Sequence, residues 1–458
     1  MNKTTQRRPC PRGGRMALES VAGCPWNGWP DVHGFGGRIT VELVAGCRRN
    51  TQLDLGNAYL ISQEDFNTIN KRSKVDRWDV LISMIGTVGE PCLIRDEPDF
   101  AIKNIGLFKS KGKVEGMWLY YYLRTPDAQQ LIREQARGTT QQYIPLGDLR
   151  TFPIPAPVDP NEMRAITHIL GTLDDKIENL RRQNETLEAM ARAMFKAWFV
   201  DFELVRAKLD GHWQRGQSLP GLPAHLYDLS PDRLVGSELG EIPEGWEVGP
   251  LGSFFNLGLG GAWGDDAATN RASTAVHCLR GIDCHDLAEG HIPEVPLRWV
   301  SSRQVADRQL SDGTILIEGS GSFCGRSMIW KRAYGKLIGE PVIYSNFCKR
   351  LDPVCSWSQA VICWMQLRQA YRDGLIQSFR TGTAFPNFDI HGTLASFIVV
   401  VPPVPIADEF ARRFSLSQRV DLMAQSRSLA QLRDTLLPKL ISGELRVKGA
   451  ERILGAAE

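Results

Sequence analysis

Hydrophobic residues follow two different periods along the chain, and the change of period marks the predicted elements. Two segments, "DVLISMIGTVGEPCLI" (79–94) and "GTILIEGSGSFCGRSMIW" (313–330), each hold an apolar run, a turn rich in Gly and Ser or Thr, and a second apolar run. Short apolar runs on either side of such a turn are typical of a β-hairpin. A helical stretch follows each hairpin, "MWLYYYLRTPDAQQLIREQ" in the first half and "AVICWMQLRQAYRDGLIQSF" in the second. We therefore predict that strands and helices are mixed in both halves.

A long helix is predicted beyond residue 158, because apolar side chains recur there at alternating steps of four and three residues. Such a stripe is the seam of a coiled coil. The predicted seam residues of this first helix are Ile166, Leu170, Leu173, Ile177, Leu180, Asn184, Leu187 and Met194. A second, less regular helix is predicted from about 406 to 441, with the seam residues Leu422, Ser426, Leu429 and Leu436. Neither helix can bury its stripe alone, so we expect the two helices to pair.

One polar residue interrupts each seam, Asn184 in the first helix and Ser426 in the second. A single polar residue in a coiled-coil seam commonly fixes the register of the helices at some cost in stability. The other interpretation is that Asn184 and Ser426 are tolerated surface residues. The sequence does not decide between these two interpretations. A helix of roughly 40 residues would be about 60 Å long at 1.5 Å per residue, which is enough to hold two globules apart.

The two halves of the chain repeat one another with a period of about 243 residues. When Gly138 and Thr139 are placed on Gly382 and Thr383, the apolar alternation and the prolines that follow coincide after a one-residue slip. The hairpins upstream and the long helices downstream also correspond, which indicates a duplicated unit. We predict a mixed α/β (α+β) fold with an internal pseudo-two-fold repeat. Its two similar globular domains are separated by two long antiparallel coiled-coil helices.

Composition favours a soluble protein with more than one domain. The 458 residues are 43% hydrophobic and 23% charged, so roughly two to four domains with real cores are expected. No window reaches the roughly 18 to 20 apolar residues of a membrane span, and the basic start lacks the apolar core of a secretory signal. We expect a cytoplasmic protein that contacts no membrane.

Cysteine and charge usage add little that is specific. The ten cysteines include no CxxC pair, so free thiols are expected in a cytoplasm. The segment "HCLRGIDCHDLAEGH" (277–291) contains the residue types of a zinc site, but its alternation is more typical of a strand entering a turn, and we predict no metal. The net charge is only +2. Local basic clusters at 326–350 and 103–113 suit either a solvated face or a surface that contacts phosphate.

Motifs for catalysis are missing from the sequence. It contains no GxxxxGK[ST] phosphate loop, no complete GxGxxG, no GxSxG elbow and no HExxH. Nothing resembles the NPPY of adenine methyltransferases, and Asp99 with Lys103 lacks the second acid that a nuclease needs. We predict no catalytic residue in this chain and expect it to bind rather than to catalyse.

The order of these features resembles the specificity subunit of type I restriction-modification systems. The resemblance lies in "GTTQQYIPLGDLRTFPIPAPVDPNEMRAITHILGTLDDKIENL" with "AMFKAWFVDFE", in "LGEIPEGWEV" and in "LRDTLLPKLISGELRV", and it covers about residues 40 to 447. It implies that each globule reads one half of a split sequence in double-stranded DNA and that the helices set the gap between the halves. It also implies that the helices dock two methyltransferase (modification) subunits, which hold S-adenosylmethionine and methylate adenine. Restriction subunits that use ATP and Mg join them, and the chain itself holds no cofactor.

The resemblance divides the chain into seven segments. Residues 1–35 form an N-terminal segment unlike the family, 36–157 the first target recognition domain, 158–210 the central spacer helix, 211–244 a linker, 245–403 the second target recognition domain, 404–447 the C-terminal spacer helix and 448–458 a tail. The first globule also lacks a counterpart of "LGEIPEGWEV", and "GGAWGDD" in the second lacks the Thr-Pro that often follows such glycines in the family.

We expect DNA contacts at three places in each globule: the hairpin turn, the basic or amide side chains near the following strands, and the repeated sequence segment. This segment, called the phrase below, is 136–157 in the first globule and 380–403 in the second. In the first globule the predicted residues are Gly86, Thr87, Gly89, Lys103, Asn104, Arg137, Thr139, Thr140, Gln141 and Gln142. In the second they are Gly319, Ser320, Gly321, Ser322, Arg326, Lys349, Arg350, Arg380, Thr383 and Asn387. Gln, Asn and Arg can bind base edges in bidentate fashion, whereas Thr, Lys and small turn residues mainly contact the backbone. The other interpretation of the phrase is a capped turn that only joins a helix to a strand.

Two other functions stay open at the level of the sequence. One is a DNA-modifying enzyme, a methyltransferase or nuclease with undetected motifs. The other is a decayed specificity subunit that acts as a coiled-coil interaction protein and no longer reads DNA. Co-purification separates them, since a specificity subunit should travel with a methyltransferase and bind DNA specifically only in that complex.

Overall fold

The computed structural model describes residues 38–41, 59–139, 141–382 and 385–448, with only the backbone described for 38–41 and Tyr59. The chain divides into two compact units. Unit 1 consists of Met1–Asp175 and Ala430–Glu458, and unit 2 consists of Lys176–Leu429. Each unit therefore contains part of both long helices that the sequence predicts.

In the part of the chain that the structure describes, unit 1 contains six strands and the start of the first long helix, with one helix between its second and third strands. Its strands are β1 (Arg38–Val41), β2 (Tyr59–Ile61), β3 (Val80–Ser83), β4 (Pro91–Leu93), β5 (Phe100–Ile102) and β6 (Ile105–Phe108). Its helices are α1 (Gln63–Ser73), α2 (Lys113–Leu123), α3 (Pro126–Gln135) and α4 (Leu146–Arg150), and α5 (Pro160–Phe199) starts in unit 1 and continues into unit 2. The helical stretch predicted after the hairpin is divided into α2 and α3, because Thr125 caps α3 and Pro126 occupies its first turn.

Among its described residues, unit 1 contains two three-stranded sheets. Strand β1 lies between β2, to which it is antiparallel, and β5, to which it is parallel. Strand β3 lies between β4 and β6 and is antiparallel to both. The β3–β4 pair confirms the hairpin predicted for 79–94. All four residues of β3 are buried, as expected for a short apolar run without alternation.

Unit 2 holds most of the remaining elements. Its strands are β7 (Leu234–Ser237), β8 (Gly240–Pro243), β9 (Glu247–Pro250), β10 (Phe255–Leu257), β11 (Thr274–Leu279), β12 (Leu297–Val300), β13 (Ile315–Glu318), β14 (Ser327–Ile329), β15 (Val342–Tyr344), β16 (Cys348–Pro353), β17 (Arg380–Thr381), β18 (Asn387–Phe388) and β19 (Ile398–Val401). Its helices are α6 (Glu203–Leu209), α7 (Gly281–Glu289), α8 (Ser302–Asp307), α9 (Arg332–Ile338), α10 (Trp357–Arg372), α11 (Ile390–Ser396) and α12 (Val404–Phe414). Helix α13 (Leu416–Ile441) starts in unit 2 and ends in unit 1.

The sheets of unit 2 repeat those of unit 1. Strand β11 lies between antiparallel β12 and parallel β15, which is the arrangement of β2, β1 and β5. Strand β13 lies between β14 and β16 and is antiparallel to both, as β3 is to β4 and β6, and β10 adds a fourth strand. The β13–β14 pair confirms the hairpin predicted for 313–330. The repeat seen in the sequence thus extends to strand order and strand direction.

The structure confirms a helix of 40 residues beyond residue 158, α5, but each of the two predicted helical segments contains a break that the sequence did not predict. The segment 158–210 forms two helices, because α5 ends at Phe199 and α6 follows Phe202, which has a left-handed backbone with φ of 54°. The segment from 406 to 441 also forms two helices, divided at Ser415 with φ of 50°. Phe414 and Leu416 on either side of it are both buried. Residues two apart in a continuous helix do not share a face, so the break lets both side chains reach the core.

Burial varies along the predicted seam. The buried seam residues are Ile166, Leu170, Leu173, Ile177, Leu180, Asn184, Leu422 and Leu436, and the half-buried ones are Leu187, Met194, Ser426 and Leu429. Within unit 1, α5 and the end of α13 run antiparallel, since Glu162 pairs with Arg446 at 2.8 Å and Asp174 with Arg433 at 2.6 Å.

Asn184 has a specific partner inside unit 2. Its Oδ1 accepts a hydrogen bond of 2.8 Å from Nε of Arg419 on α13. The polar residue of the first seam is therefore bonded to an arginine of α13 and not to Ser426. A role of Asn184 or Ser426 in fixing the register stays a prediction.

Aromatic rings fill the core of unit 2. Phe410 of α12 packs edge to face against Trp198 and Phe199 of α5, with ring centroids 6.2 and 5.1 Å apart. The predicted linker, 211–244, also joins this core through the buried side chains of Trp213 and Ile242. Over the part of the chain that the structure describes, no helix is both long enough and apolar enough to cross a membrane.

Candidate nucleic-acid interface

In unit 1 the hairpin turn and the second predicted contact place lie side by side. Ser83, the last residue of β3, pairs with Ile105, the first residue of β6. The β3–β4 turn begins directly after Ser83, and the turn that holds Lys103 and Asn104 ends directly before Ile105. Asn104 has a left-handed backbone with φ of 62°, which asparagine tolerates better than most residues. Both turns therefore lie at the same end of the β4–β3–β6 sheet.

The repeated phrase closes over that same end of the sheet. The Gly86 N–H donates to the carbonyl of Gln142 at 2.9 Å, and the Ile144 N–H donates to the carbonyl of Met84 at 3.0 Å. These two bonds tie the phrase to the hairpin turn along its backbone. The three places predicted from separate parts of the sequence are thus brought together in unit 1.

Unit 2 has the same arrangement, in which backbone hydrogen bonds tie the hairpin turn to the phrase; we call this arrangement the frame. Its residues differ from those of unit 1. The Gly321 N–H donates to the carbonyl of Pro386 at 2.9 Å, and the Phe388 N–H donates to the carbonyl of Gly319 at 2.9 Å. The turn between β15 and β16 is also bonded to the hairpin turn, because the Gly319 N–H donates to the carbonyl of Phe347 at 2.6 Å. The hairpin turn, the β15–β16 turn and the phrase therefore meet at the end of the β13–β16 pair.

A glycine closes each hairpin turn for the same steric reason. Gly89 and Gly325 both have φ of 95°, a region that residues with a Cβ rarely adopt. A Cβ on Gly89 would stand 2.8 Å from Cγ2 of Ile132, and one on Gly325 would stand 2.4 Å from Cγ2 of Ile376. The two units therefore share the closing glycine and also the isoleucine that packs on it.

The two turns differ by one residue in length. The Gly89 N–H donates to the carbonyl of Ser83 at 2.9 Å, and the Gly325 N–H donates to that of Glu318 at 2.8 Å. The loops enclosed by these bonds are 84–88 in unit 1 and 319–324 in unit 2. Since Gly86 and Gly321 hold the same place after the strand, the additional residue of unit 2 lies between Gly321 and Gly325.

The predicted DNA-contacting residues of unit 1 differ in exposure. Those with exposed side chains are Thr87, Arg137, Thr139 and Gln142, those half-buried are Gly86, Lys103, Asn104 and Gln141, and Gly89 is buried. Arg137 donates to Asp148 at 3.0 Å, so part of its hydrogen-bonding capacity is used within the unit. Thr140 lies outside the described residues.

Two of the predicted arginines of unit 2 are held in ion pairs. Nη2 of Arg326 lies 2.7 Å from Oε2 of Glu318, and both side chains are largely buried. Nε of Arg350 donates to Oδ1 of Asp352 at 2.7 Å. Burial disfavours the charged form of Arg350, but the interactions with Asp352 and Tyr344 together outweigh burial and raise the pKa of this guanidinium above its ordinary value. Both charges are therefore balanced within the sheet, which the basic cluster in the sequence did not reveal.

Other cations at this end of unit 2 are not balanced in this way. Among the described residues, Lys349 and Arg380 have no carboxylate partner in an ion pair, and both side chains are half-buried. Nε of Arg380 donates to the carbonyl of Cys324 at 3.1 Å, which fixes this guanidinium beside the hairpin turn. Ser320 and Gly321 are half-buried, Gly319 is buried, Ser322 and Asn387 are exposed, and Thr383 lies outside the described residues.

Three aromatic residues that the sequence did not single out surround the same turn. Phe323 follows Ser322 in the hairpin turn, Phe347 precedes β16, and Phe385 belongs to the phrase. Each is exposed. The sequence indicates them only by position, because each lies within two residues of a predicted contact residue. Apolar residues beside strands are usually buried, so the sequence alone gives no reason to expect exposed rings there.

The histidine- and cysteine-rich segment at 277–291 belongs to the fold of unit 2. Cys278 lies in β11 and Cys284 in α7, so the predicted strand is confirmed and leads into a helix. Burial raises the pKa of Cys278 to about 12, and a zinc ligand must be a thiolate. No group of three or more His, Cys, Asp or Glu suited to a metal ion occurs within the ranges that the structure describes.

Comparison with known proteins finds similar sequences of one kind. The family model described as the type I restriction modification DNA specificity domain matches residues 47–189. Over 345 residues the chain is 25% identical to the type I restriction enzyme MjaIX specificity subunit of Methanocaldococcus jannaschii, covering 74% of this chain and 71% of that protein. Over 366 residues it is 23% identical to the type I restriction enzyme HindI specificity subunit of Haemophilus influenzae, covering 69% of this chain and 73% of that protein.

These matches are all to components of restriction-modification systems, which is the class of protein that the chain resembles. More closely, the chain is similar to type I specificity subunits, through the family model over 47–189 and through both relatives. A crystal structure of a type I restriction-modification system S subunit from M. genitalium aligns with 94% of this chain and 92% of that one, at 16% identity and a TM-score of 0.49.

Proposed function

We propose that this chain is the DNA specificity subunit of a type I restriction-modification complex and that each unit reads one half of a bipartite target. The observation that carries the proposal is the frame present in both units, in which the hairpin turn is tied to the repeated phrase by the same backbone bonds. Two copies of one frame suit a target made of two half-sites, because half-site spacing follows protein geometry.

The residues carried by the frame suit DNA but differ between the units. Unit 1 presents the exposed hydroxyl of Thr139 and the exposed amide of Gln142, whereas unit 2 presents Lys349, Arg380 and the exposed amide of Asn387. Amides and guanidiniums make bidentate contacts to base edges, and hydroxyls and ammonium groups contact phosphates. Since the two sets differ, the two half-sites differ in sequence.

Helices α5 and α13 serve the assembly in this proposal. They set the spacing of the half-sites and dock two methyltransferase (modification) subunits, and restriction subunits join the complex. The partners supply the chemistry, with S-adenosylmethionine on the modification subunits and ATP with Mg on the restriction subunits. The chain contributes DNA recognition, no catalytic residue and no cofactor.

A pair of variants tests the bipartite reading. Gln142→Ala in unit 1 and Arg380→Ala in unit 2 are each assembled with the modification subunit, and adenine methylation is mapped across the genome. We expect each variant to relax base preference in one half-site only, because each removes a base-reading group from one unit and costs about 1–3 kcal/mol of discrimination. Gln130→Ala, an exposed glutamine of α3, is the matched control and leaves the pattern unchanged. If both variants methylate the wild-type target with unchanged preference, these two assignments are wrong, and if the wild-type complex methylates without sequence preference, the proposed function is wrong.

A further inference from the structure

Unit 2 exposes three large aromatic side chains around its hairpin turn. Phe323, Phe347 and Phe385 are 56%, 59% and 84% exposed. Phenylalanine is usually buried in a folded protein, and several exposed rings at one place indicate a surface that another molecule covers. We call these three residues the aromatic rim.

The rim residues are held together by the frame of unit 2. Phe347 is bonded to the turn through its carbonyl, which accepts from Gly319 at 2.6 Å, and Phe385 directly precedes Pro386, whose carbonyl accepts from Gly321 at 2.9 Å. Phe323 lies in the turn itself. Three segments distant in sequence thus place their rings at one end of the β13–β16 pair.

The corresponding places in unit 1 carry polar or aliphatic residues. The residue before β6 is Asn104, where unit 2 has Phe347 before β16. The residue before Gln142 is Gln141, where unit 2 has Phe385 before Pro386. Thr87 and Val88 fill the part of the turn that holds Phe323 in unit 2. The frame does not need aromatic residues at these places, so their presence in unit 2 is not explained by folding.

Cations stand among the rings. The guanidinium of Arg326 lies 4.4 Å from the ring centroid of Phe323, although Glu318 balances its charge. Lys349 and Arg380 carry charges without a carboxylate partner among the described residues. A surface that combines exposed rings with unbalanced positive charge suits a polyanion that also presents apolar groups. Double-stranded DNA meets both requirements, with phosphates along the backbone and the thymine methyl groups in the major groove.

We propose that the aromatic rim is a base-reading element of unit 2, in which Phe323, Phe347 and Phe385 make apolar contact with thymine methyl groups of its half-site. This inference rests on the proposed function and names the chemistry by which unit 2 selects its bases. Apolar contact with the thymine methyl group is a direct form of sequence reading. Lys349 contacts a neighbouring phosphate, which positions the rings without sequence information, and Arg380 keeps its base-reading role.

The test uses the complex of this chain with its modification subunit. Phe347→Ala and Phe385→Ala are compared with Val354→Ala, because Val354 is 59% exposed and follows β16 at the end opposite to Phe347. Affinity is measured on a duplex with the wild-type target, and again with deoxyuridine in place of each thymine of the unit 2 half-site. We expect each Phe variant to bind about tenfold more weakly, as for loss of one base contact, while Val354→Ala binds as wild type. We expect deoxyuridine at a contacted thymine to weaken the wild-type complex by a similar factor, and each Phe variant to lose its sensitivity to deoxyuridine at the thymine that its missing ring contacts.

The outcomes separate this inference from the proposed function. Specific binding by the wild type, with Phe variants that keep both affinity and base preference, overturns the aromatic rim alone. Weaker binding by the Phe variants with no effect of deoxyuridine in the wild type overturns the methyl contact and indicates insertion of the rings between base pairs. Phe variants that fail to co-purify with the modification subunit overturn it in favour of protein docking. A wild-type complex without sequence preference overturns the proposed function itself.

Discussion

The carboxylate of Glu188 on α5 lies between two buried arginines of unit 2, Arg368 and Arg419. Its Oε1 accepts from Nη1 of Arg368 at 2.6 Å, and its Oε2 lies 2.6 Å from Nη1 of Arg419, close enough for an ion pair but not aligned as a hydrogen bond. The three side chains are only 6%, 5% and 2% exposed. Arg368 has a second carboxylate, Glu289 at 2.6 Å. Among the described residues, Arg419 otherwise meets only neutral acceptors, one of them Asn184.

Replacement of Glu188 by alanine leaves the charge of Arg419 buried and without a counter-ion. Removal of one partner of a buried ion pair typically costs about 3–5 kcal/mol, because desolvation of the remaining charge is no longer offset. We expect a loss of stability in this range, and for a unit of this size that corresponds to a Tm lower by roughly 6–20 °C. Glu188→Gln keeps the volume and one acceptor, so its loss should be smaller.

The measurement is thermal unfolding of the purified chain, with Glu178→Ala as the matched control. Glu178 pairs with Arg182 on the exposed side of the same helix at 3.0 Å, and such surface pairs contribute about 0.2–1 kcal/mol. The double variant Glu188→Leu with Arg419→Leu should recover part of the loss, since both charges are then removed. If Glu188→Ala lowers the Tm no more than Glu178→Ala does, the reasoning about a buried charge is refuted.

Two further predictions concern the hairpin turn and the response to acid. Gly325→Ala should destabilise unit 2 by about 1–3 kcal/mol more than Gly321→Ala in urea unfolding, because both have a positive φ but only a Cβ at 325 meets Ile376; equal losses would contradict the steric argument. Burial alone would raise the pKa of Glu289, but Arg368 outweighs it and lowers the pKa below its ordinary value of 4.5, so its contribution to stability is present above that value and is lost as the pH falls through the lowered pKa. Glu289→Gln should therefore lose less stability than the wild type between pH 6 and pH 3, and parallel acid-unfolding profiles would contradict this.

Local patterns in the sequence predicted the parts of the fold that depend on neighbouring residues. The hairpins at 79–94 and 313–330 were predicted because strand, turn and strand are adjacent in the chain. The repeat was found because Gly138 and Gly382 start matching runs. The break at Ser415 was missed, since a serine in a helical pattern gives no sign that its neighbours on both sides are needed in the core.

Features that depend on distant residues were not predictable in the same way. Glu188 and Arg368 are 180 residues apart, and each alone reads as a surface charge. Glu318 lies beside Arg326 across the hairpin, so the ion pair that balances the charge of this arginine can be recognised only when the hairpin register is known. The exposed rings of Phe347 and Phe385 were not singled out, because apolar residues beside strands are usually buried.

Because both units share the frame, the hairpin loop of one unit, 84–88 or 319–324, could replace that of the other; we call this loop the tip of the unit. A graft of 319–324 in place of 84–88 would meet an equivalent closing glycine, with Ile132 in the place of Ile376, and an equivalent carbonyl, that of Gln142. The additional residue would extend the tip and leave the strands in register. New DNA preferences can thus arise by insertion as well as by substitution, since the hydrogen bonds that hold the turn involve backbone atoms that every amino acid except proline supplies.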